Sequence, residues 1–198
     1  MDTKERIVTF VQTYCREFST VCTKLRKFGG SGNVRWQPPP VETVKANFDA
    51  AFKPTSGVAS SGVVVRNSSG EIMGASFRRV GSISSSFAAE ASAAIHAIEL
   101  VVDLGFSRAI IEGDSLTVIK KLMAKTRDLS AICSLVWDAK SKAQNLLACS
   151  FSFVPRMGNQ AAHILASADY DEDRFWVEDE PPSLRLLLAK ERCSSDCL

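Results

Sequence analysis

Several common chemistries leave no trace in this chain. It has two histidines, His96 and His163, and six cysteines at positions 15, 22, 133, 149, 193 and 197. No Cys-x-x-Cys pair occurs and no histidine lies near a cysteine pair, so the usual zinc-ligand spacings are missing. No apolar run approaches the ~20 residues of a membrane span. Met1 to Tyr14 carry Asp2, Lys4, Glu5 and Arg6 where a secretory signal would need an apolar core. The expectation is an intracellular protein that does not enter a membrane, with its cysteines as reduced thiols. Aromatic residues make up 8%, which offers no obvious platform for stacking bases, and a net charge of +2 gives no overall pull toward nucleic acid.

What is present fits a globular domain with flanking pieces: 198 residues, 45% hydrophobic and 23% charged. The charge is unevenly placed. Residues 1–40 hold seven basic and three acidic residues, residues 41–169 thirteen and eleven, and residues 170–198 four and eight. Gly29, Gly30, Ser31 and Gly32, followed by Pro38, Pro39 and Pro40, mark a boundary of flexible and then extended chain. Four segments follow. Residues 1–35 form a basic extension, expected to be helical because Phe10, Val11, Tyr14, Phe18, Val21, Cys22 and Leu25 recur at helical spacing. Residues 36–43 are a Pro-rich linker, 44–169 the main domain, and 170–198 an acidic tail with a short helix.

Within the main domain the hydrophobic period changes several times. Val44 to Phe52 alternates as a strand, with Ala46, Phe48, Ala50 and Phe52 on one side and Asn47, Asp49 and Ala51 on the other. Gly62 to Asn67 and Glu71 to Arg79 read as a hairpin around Ser68-Ser69-Gly70. Helical spacing then runs from Phe87 to Leu104, with serine caps before it and Gly105 after it. Arg108–Gly113 is a fourth strand, a helix follows to about Lys125, and another spans Ser130 to about Leu147. Cys149–Val154 is a fifth strand, and Asn159 caps a last helix to about Ala168. The order β-β-β-α-β-α-α-β-α predicts an α/β fold. Its mixed five-stranded sheet has strands 1–3 antiparallel, strands 4 and 5 parallel, and helices packed on it.

Three acids stand in informative places. Asp49 sits inside a strand, where aspartate is depleted, on the face opposite Phe48. Glu90 begins a helical row continued by Ala94, Ala97 and Val101, which points it at the sheet. Asp114 ends the fourth strand. Each has an ordinary structural role open to it: a hydrogen-bonded buried acid, a partner of the helix dipole and an N-cap, respectively. If strands one and four are parallel neighbours, however, the three converge where α/β sheets place their sites. Clustered carboxylates repel unless a hard cation such as Mg2+ or Mn2+ neutralises them, and such ions activate water for displacement at phosphorus.

With these pieces in order, residues 36–188 resemble the ribonuclease H-like domain that plant genomes carry as relics of non-LTR retrotransposons. The resemblance is carried by Trp36-Gln37-Pro38-Pro39-Pro40 leading into Asn47-Phe48-Asp49-Ala50-Ala51-Phe52, and by Gly62 to Asn67 with Gly70. It continues through Ala89-Glu90-Ala91 to Glu99-Leu100, Ile111-Glu112-Gly113-Asp114-Ser115, and Val154-Pro155-Arg156-Met157-Gly158-Asn159 to Ala162-His163-Ile164-Leu165-Ala166. The resemblance implies a ribonuclease H-type endonuclease. Such an enzyme cuts the RNA strand of an RNA–DNA hybrid with two divalent ions, Mg2+ or Mn2+. It places Asp49, Glu90 and Asp114 as the first three catalytic, ion-holding carboxylates. The fourth position, usually aspartate, is His163, a variant common in the plant group and a poorer Mg2+ ligand. The loop Pro155–Gly158 also lacks the histidine that assists product release in bacterial relatives. The alternative is a weak or inactive nucleic-acid-binding or protein-interaction domain on the same fold.

Candidate phosphate contacts are Lys120, Lys121, Lys125 and Arg127 after the fourth strand, Arg78 and Arg79 at the end of the third, and Arg156 near the acids. A hybrid duplex would be recognised mainly by groove shape and 2′-hydroxyls. His96 shares a helical row with Ser92, Glu99 and Asp103, which predicts a solvated face and no role.

Overall fold

The structure, a computed structural model, describes residues 35–126 and 128–195, with side chains described as far as Glu191. The helix expected in residues 1–35 and the candidate contact Arg127 therefore lie outside the described residues, Arg35 excepted.

The chain forms strands β1 (Val44–Lys53), β2 (Val58–Arg66) and β3 (Ile72–Ser82), then helix α1 (Ser86–Asp103) and strand β4 (Arg108–Gly113). Helices α2 (Leu116–Met123) and α3 (Cys133–Ala143) lead to β5 (Ala148–Phe153), α4 (Gln160–Ala166), β6 (Arg174–Val177) and α5 (Arg185–Ser195). One-turn 3-10 helices at Arg156–Gly158 and Pro182–Leu184 precede α4 and α5. The sheet order is β5-β4-β1-β2-β3-β6. Strands β1, β2, β3 and β6 pair antiparallel, while β4 runs parallel to β1 and β5 parallel to β4.

This is the expected mixed α/β sheet with one correction: it has six strands, not five. β6 comes from the segment read as an acidic tail and pairs with β3 through Gly74↔Val177 to Phe77↔Arg174. Four residues between Asp171–Asp173 and Glu178–Glu180 are too few to show alternation. What holds them is tertiary, since Trp176 and Phe77 both meet the Tyr170 ring, at 5.7 and 5.2 Å between centroids. The third helix is also shorter than its periodicity suggested, with residues 130–132 and 144–147 in turns.

Each face of the sheet carries its own core. On one face Phe48, Val63, Val65 and Ile111 pack against Ile98, Val101 and the alanines of α1. The small side chains at Ala88, Ala91, Ala94 and Ala97 let that helix lie close to the strands. Ser85 caps it by accepting from the Ala88 N–H at 3.2 Å, and Gly105, at φ +81°, turns the chain out of it. On the other face Val64, Ala75 and Phe77 pack on Leu165, Leu184 and Leu188. The approach of α4 is closest at Gly62, where a β-carbon would fall 2.3 Å from the Ala166 nitrogen and 2.6 Å from the Ala162 oxygen.

His96 corrects a second expectation. It is 2% exposed, with Nδ1 at 2.7 Å from Ser61 Oγ and Nε2 at 2.9 Å from Ser76 Oγ. β2 and β3 both present serines beneath α1, so the helical row that looked solvated is partly covered. Burial, and then the Arg78 charge, push the His96 pKa down to about 3.

Two predictions follow from this packing. Gly62→Ala should cost about 1–3 kcal/mol of stability in chemical denaturation, because backbone atoms of α4 cannot yield as a side-chain tip would. The second concerns pH. An unfolded His96 takes up a proton near the ordinary value of 6.5 and the folded one only near 3, so its contribution weakens as pH falls through that window. Urea unfolding at pH 7.5 and 5 should show a steeper acid loss for the parent than for His96→Gln, by up to ~1.4 kcal/mol per pH unit.

Candidate metal centre

The site begins with an unusual strand. On the face of β1 toward α4, Lys45, Asn47 and Asp49 follow one another at period two, and all are buried. Polar groups so placed need partners. Lys45 Nζ lies 3.3 Å from Glu112 Oε1 and donates to the Gln37 carbonyl at 2.8 Å. Asn47 Nδ2 donates to Glu112 Oε2 at 3.1 Å and to Asn159 Oδ1 at 3.2 Å, and its oxygen accepts from Trp36 Nε1 at 2.8 Å. The Trp36 ring stacks on the Arg66 guanidinium at 4.3 Å, and Arg66 Nη1 reaches Glu191 at 2.8 Å. The segment read as a linker and the segment read as a tail are thus both tied to the sheet.

Asn159 has a different role from the one expected. It stands at the N-cap position of α4, but its side chain makes no cap bond. It donates instead to the Phe48 carbonyl at 2.9 Å, which fixes the start of α4 against the backbone beside Asp49. The network of Trp36, Asn47, Glu112 and Asn159 was missed in the sequence. Its one signal was the run of three polar residues at period two on a central strand.

The acids converge because a strand pairing stops. β1 and β4 pair in parallel as far as Phe48↔Gly113, beyond which β1 continues beside β2 alone. A side chain at Gly113 would collide with the Phe48 ring, its β-carbon 2.5 Å from Cζ. Asp49 and Asp114 follow directly, at the carboxyl ends of adjacent parallel strands. Asp114 is not the helix cap, since Ser115 occupies that position. Glu90 comes from the first turns of α1, and Asp49, Glu90 and Asp114 each offer an oxygen within 4.8 Å of the others.

Their environment is costly for negative charge. The Asp49 side chain is fully buried, and its carboxyl is raised above the usual range by that burial and by the Asp114 charge, against the opposing pull of Arg156 and His163. Glu90 is raised well above the usual range by burial, then by the charges of Asp49 and Asp114. Its Oε2 is buried without a hydrogen-bond partner among the described residues.

Two basic groups approach from the loop and helix after β5. Arg156 Nη1 lies 3.1 Å from both Asp49 oxygens and 2.8 Å from Asp114 Oδ2. Burial works against its charge, but the two aspartates prevail and raise its pKa. His163 Nδ1 is 2.7 Å from Asp49 Oδ2, and its Nε2 is 3.2 Å from Arg156 Nη2. Because arginine can only donate, Nε2 must accept and Nδ1 carries the proton given to Asp49. His163 is half-exposed, yet its Nδ1 is engaged by the buried Asp49.

The expected phosphate contacts are less uniform. α2 ends at Met123, so exposed Lys125 lies just beyond the helix that was expected to run to about that residue. Lys121 is paired with Asp128 at 2.8 Å, while Lys120 is exposed. Arg78 bonds Glu99 at 2.8 Å, and Arg79 donates to the Asp171 carbonyl from its side chain and to Asp173 from its backbone. Arg156, expected near the acids, bonds Asp49 and Asp114 directly.

The model of the family described as reverse transcriptase-like matches residues 47–169. No curated protein matches the sequence. Among solved structures, the chain is similar to ribonuclease H1 of the archaeon Halobacterium salinarum, at 29% identity and a TM-score of 0.59, covering 63% of this chain and 94% of that one. An N-terminal ribonuclease H domain from Mycobacterium tuberculosis, solved as a maltose-binding-protein fusion, shares the fold at 23% identity and a TM-score of 0.58, over 63% and 90% of the two chains. A compost-derived ribonuclease H1, solved in complex with an RNA/DNA hybrid, shares it at 19% and 0.54, over 62% and 92%.

Removing one buried acid should relieve the site. With EDTA present, Glu90→Gln should raise the thermal unfolding midpoint at pH 8. The raised Glu90 pKa means its protonated form is the stable one, so the parent loses stability as pH rises through that value. The advantage of the variant should shrink toward pH 5, as followed by circular dichroism melts across that range.

Proposed function

We propose that this chain, which belongs to the reverse transcriptase-like family and has the ribonuclease H fold, hydrolyses the RNA strand of RNA–DNA hybrids using divalent ions held by Asp49, Glu90 and Asp114. The observation that carries this reading is the meeting of three carboxylates within 4.8 Å at the ends of β1 and β4. The donor set suits a hard cation. It is made of oxygens alone, it is crowded with like charge, and it includes the orphaned Glu90 Oε2. Mg2+ or Mn2+ bound there would supply an activated water and stabilise in-line displacement at phosphorus.

The chain's own residues then divide the work. Asn159 holds the β1 backbone next to Asp49, so that this carboxylate is aimed from a rigid strand. Asp114, at the end of β4, keeps its side chain 9% exposed beside the fully buried Asp49, which makes it the more accessible of the two. His163 orients Asp49 through the Nδ1 proton but adds no negative charge, which favours a weakened second ion site. Lys120, Lys121 and Lys125 would hold the backbone of a duplex without reading its sequence. The Trp36 segment and the Val154–Asn159 loop fit the retrotransposon-derived plant group, and free thiols at Cys133 and Cys149 fit a reducing, intracellular setting.

A second reading is favoured by one observation. Arg156 already neutralises Asp49 and Asp114, which would suit a domain that binds a hybrid or a protein and cuts weakly or not at all.

A labelled RNA–DNA hybrid incubated with Mg2+ or Mn2+ decides between them. Cleavage should occur, with Mn2+ the better ion. Asp49→Asn should lower it at least ~100-fold, since even partners that only orient metal ligands cost 10–100-fold. His163→Asp should improve the Mg2+ rate. Cleavage no greater than that of Asp49→Asn with either ion would leave the binding reading.

A further inference from the structure

We propose that Arg156 is a tethered counter-ion: its guanidinium bridges Asp49 and Asp114, and a divalent cation can take their oxygens only by displacing it. The inference rests on the reading of Asp49, Glu90 and Asp114 as the ion-holding set. It adds that the site has two competing occupants, one built into the chain.

The geometry is specific to one nitrogen. Arg156 Nη1 takes both oxygens of Asp49 at 3.1 Å and Asp114 Oδ2 at 2.8 Å, so it stands between two of the three candidate ligands. Asp49 and Asp114 repel each other in a buried setting, and this nitrogen offsets that repulsion. A hard cation draws carboxylate oxygens to about 2.0–2.6 Å. The guanidinium cannot keep the same oxygens, because two positive charges would then share one small, poorly solvated space.

The chain also gives Arg156 a way out. It begins the one-turn helix Arg156–Gly158, and its side chain is 51% exposed, whereas that of Asp49 is fully buried. The carboxylates are fixed by strands, and the guanidinium reaches them from the surface on a long side chain. On leaving, it would stand at the rim of the crevice, where its planar fork suits a phosphate. Its departure also strips His163 Nε2 of its donor, leaving that lone pair unengaged at the edge of the site. Loading of the ion and presentation of a phosphate-binding arginine become one event.

Mn2+ affinity, measured by isothermal titration calorimetry on the full chain after EDTA treatment, tests this without reference to activity. Arg156→Gln should bind Mn2+ at least ~10-fold more tightly than the parent, a difference of about 1.4 kcal/mol. It should also melt at a lower temperature in EDTA and gain more from added Mn2+. Arg156→Lys keeps a charge without the fork and should fall between the two, which preserves the test if the glutamine variant does not fold. Asp49→Asn separates the two readings. If it abolishes Mn2+ binding while Arg156→Gln binds no tighter than the parent, the counter-ion role is overturned and the ion site stands. If neither the parent nor either Arg156 variant binds Mn2+, both are overturned.

Discussion

Phe48 lies with its ring in the space that a side chain at Gly113 would fill, and the parallel pairing of β1 with β4 ends at that contact. Nearly everything of consequence depends on this arrangement. While the two strands are joined, the sheet separates what lies on its two faces. Once they part, a crevice opens in which Glu90, from the helix on one face, can meet Asp49, whose side chain points to the other. Arg156 and His163 enter the same gap from the α4 side. A centre drawing on both faces of a sheet needs such a break, and parallel strand ends provide it.

Charge buried this deeply has to be balanced, and the chain does so in two linked ways. Along β1 the balance is permanent: Lys45 meets Glu112, and Asn47 passes hydrogen bonds between Trp36, Glu112 and Asn159. At the strand end the balance is incomplete. Asp49 and Glu90 are held above their usual pKa range, and one Glu90 oxygen has no hydrogen-bond partner among the described residues. The first network makes the second tolerable by tying β1, α4 and the segment before β1 into one rigid frame.

His163 takes a place beside the acids without adding a carboxylate. The imidazole donates from Nδ1 to Asp49 and accepts at Nε2 from Arg156. The result is a chain Arg156–His163–Asp49 closed by direct contact of Arg156 with Asp49 and Asp114. Such a ring offsets the charges of Asp49 and Asp114, while Glu90 stays outside it.

Much of the architecture was legible before any coordinates. Alternation in Val44–Phe52, the Ser68-Ser69-Gly70 turn and the helical run ending at Gly105 are local signals, set by backbone geometry and solvent exclusion within a few residues. They gave the element order, and with it the neighbourhood of Asp49 and Asp114. What lay beyond them depends on contacts distant in sequence. β6 is a strand because β3 needed an edge partner and Trp176 a ring to pack on. His96 is buried because two strands happen to offer serines beneath it. Asn159 reaches β1 and not its own helix, and a single Arg156 nitrogen meets both Asp49 and Asp114. The sequence by itself determined the order of elements and the identity of the clustered carboxylates, through local periodicity and motif. Only the tertiary structure decided which cation neutralises them, because that choice is made by long-range electrostatics between groups that share no local pattern.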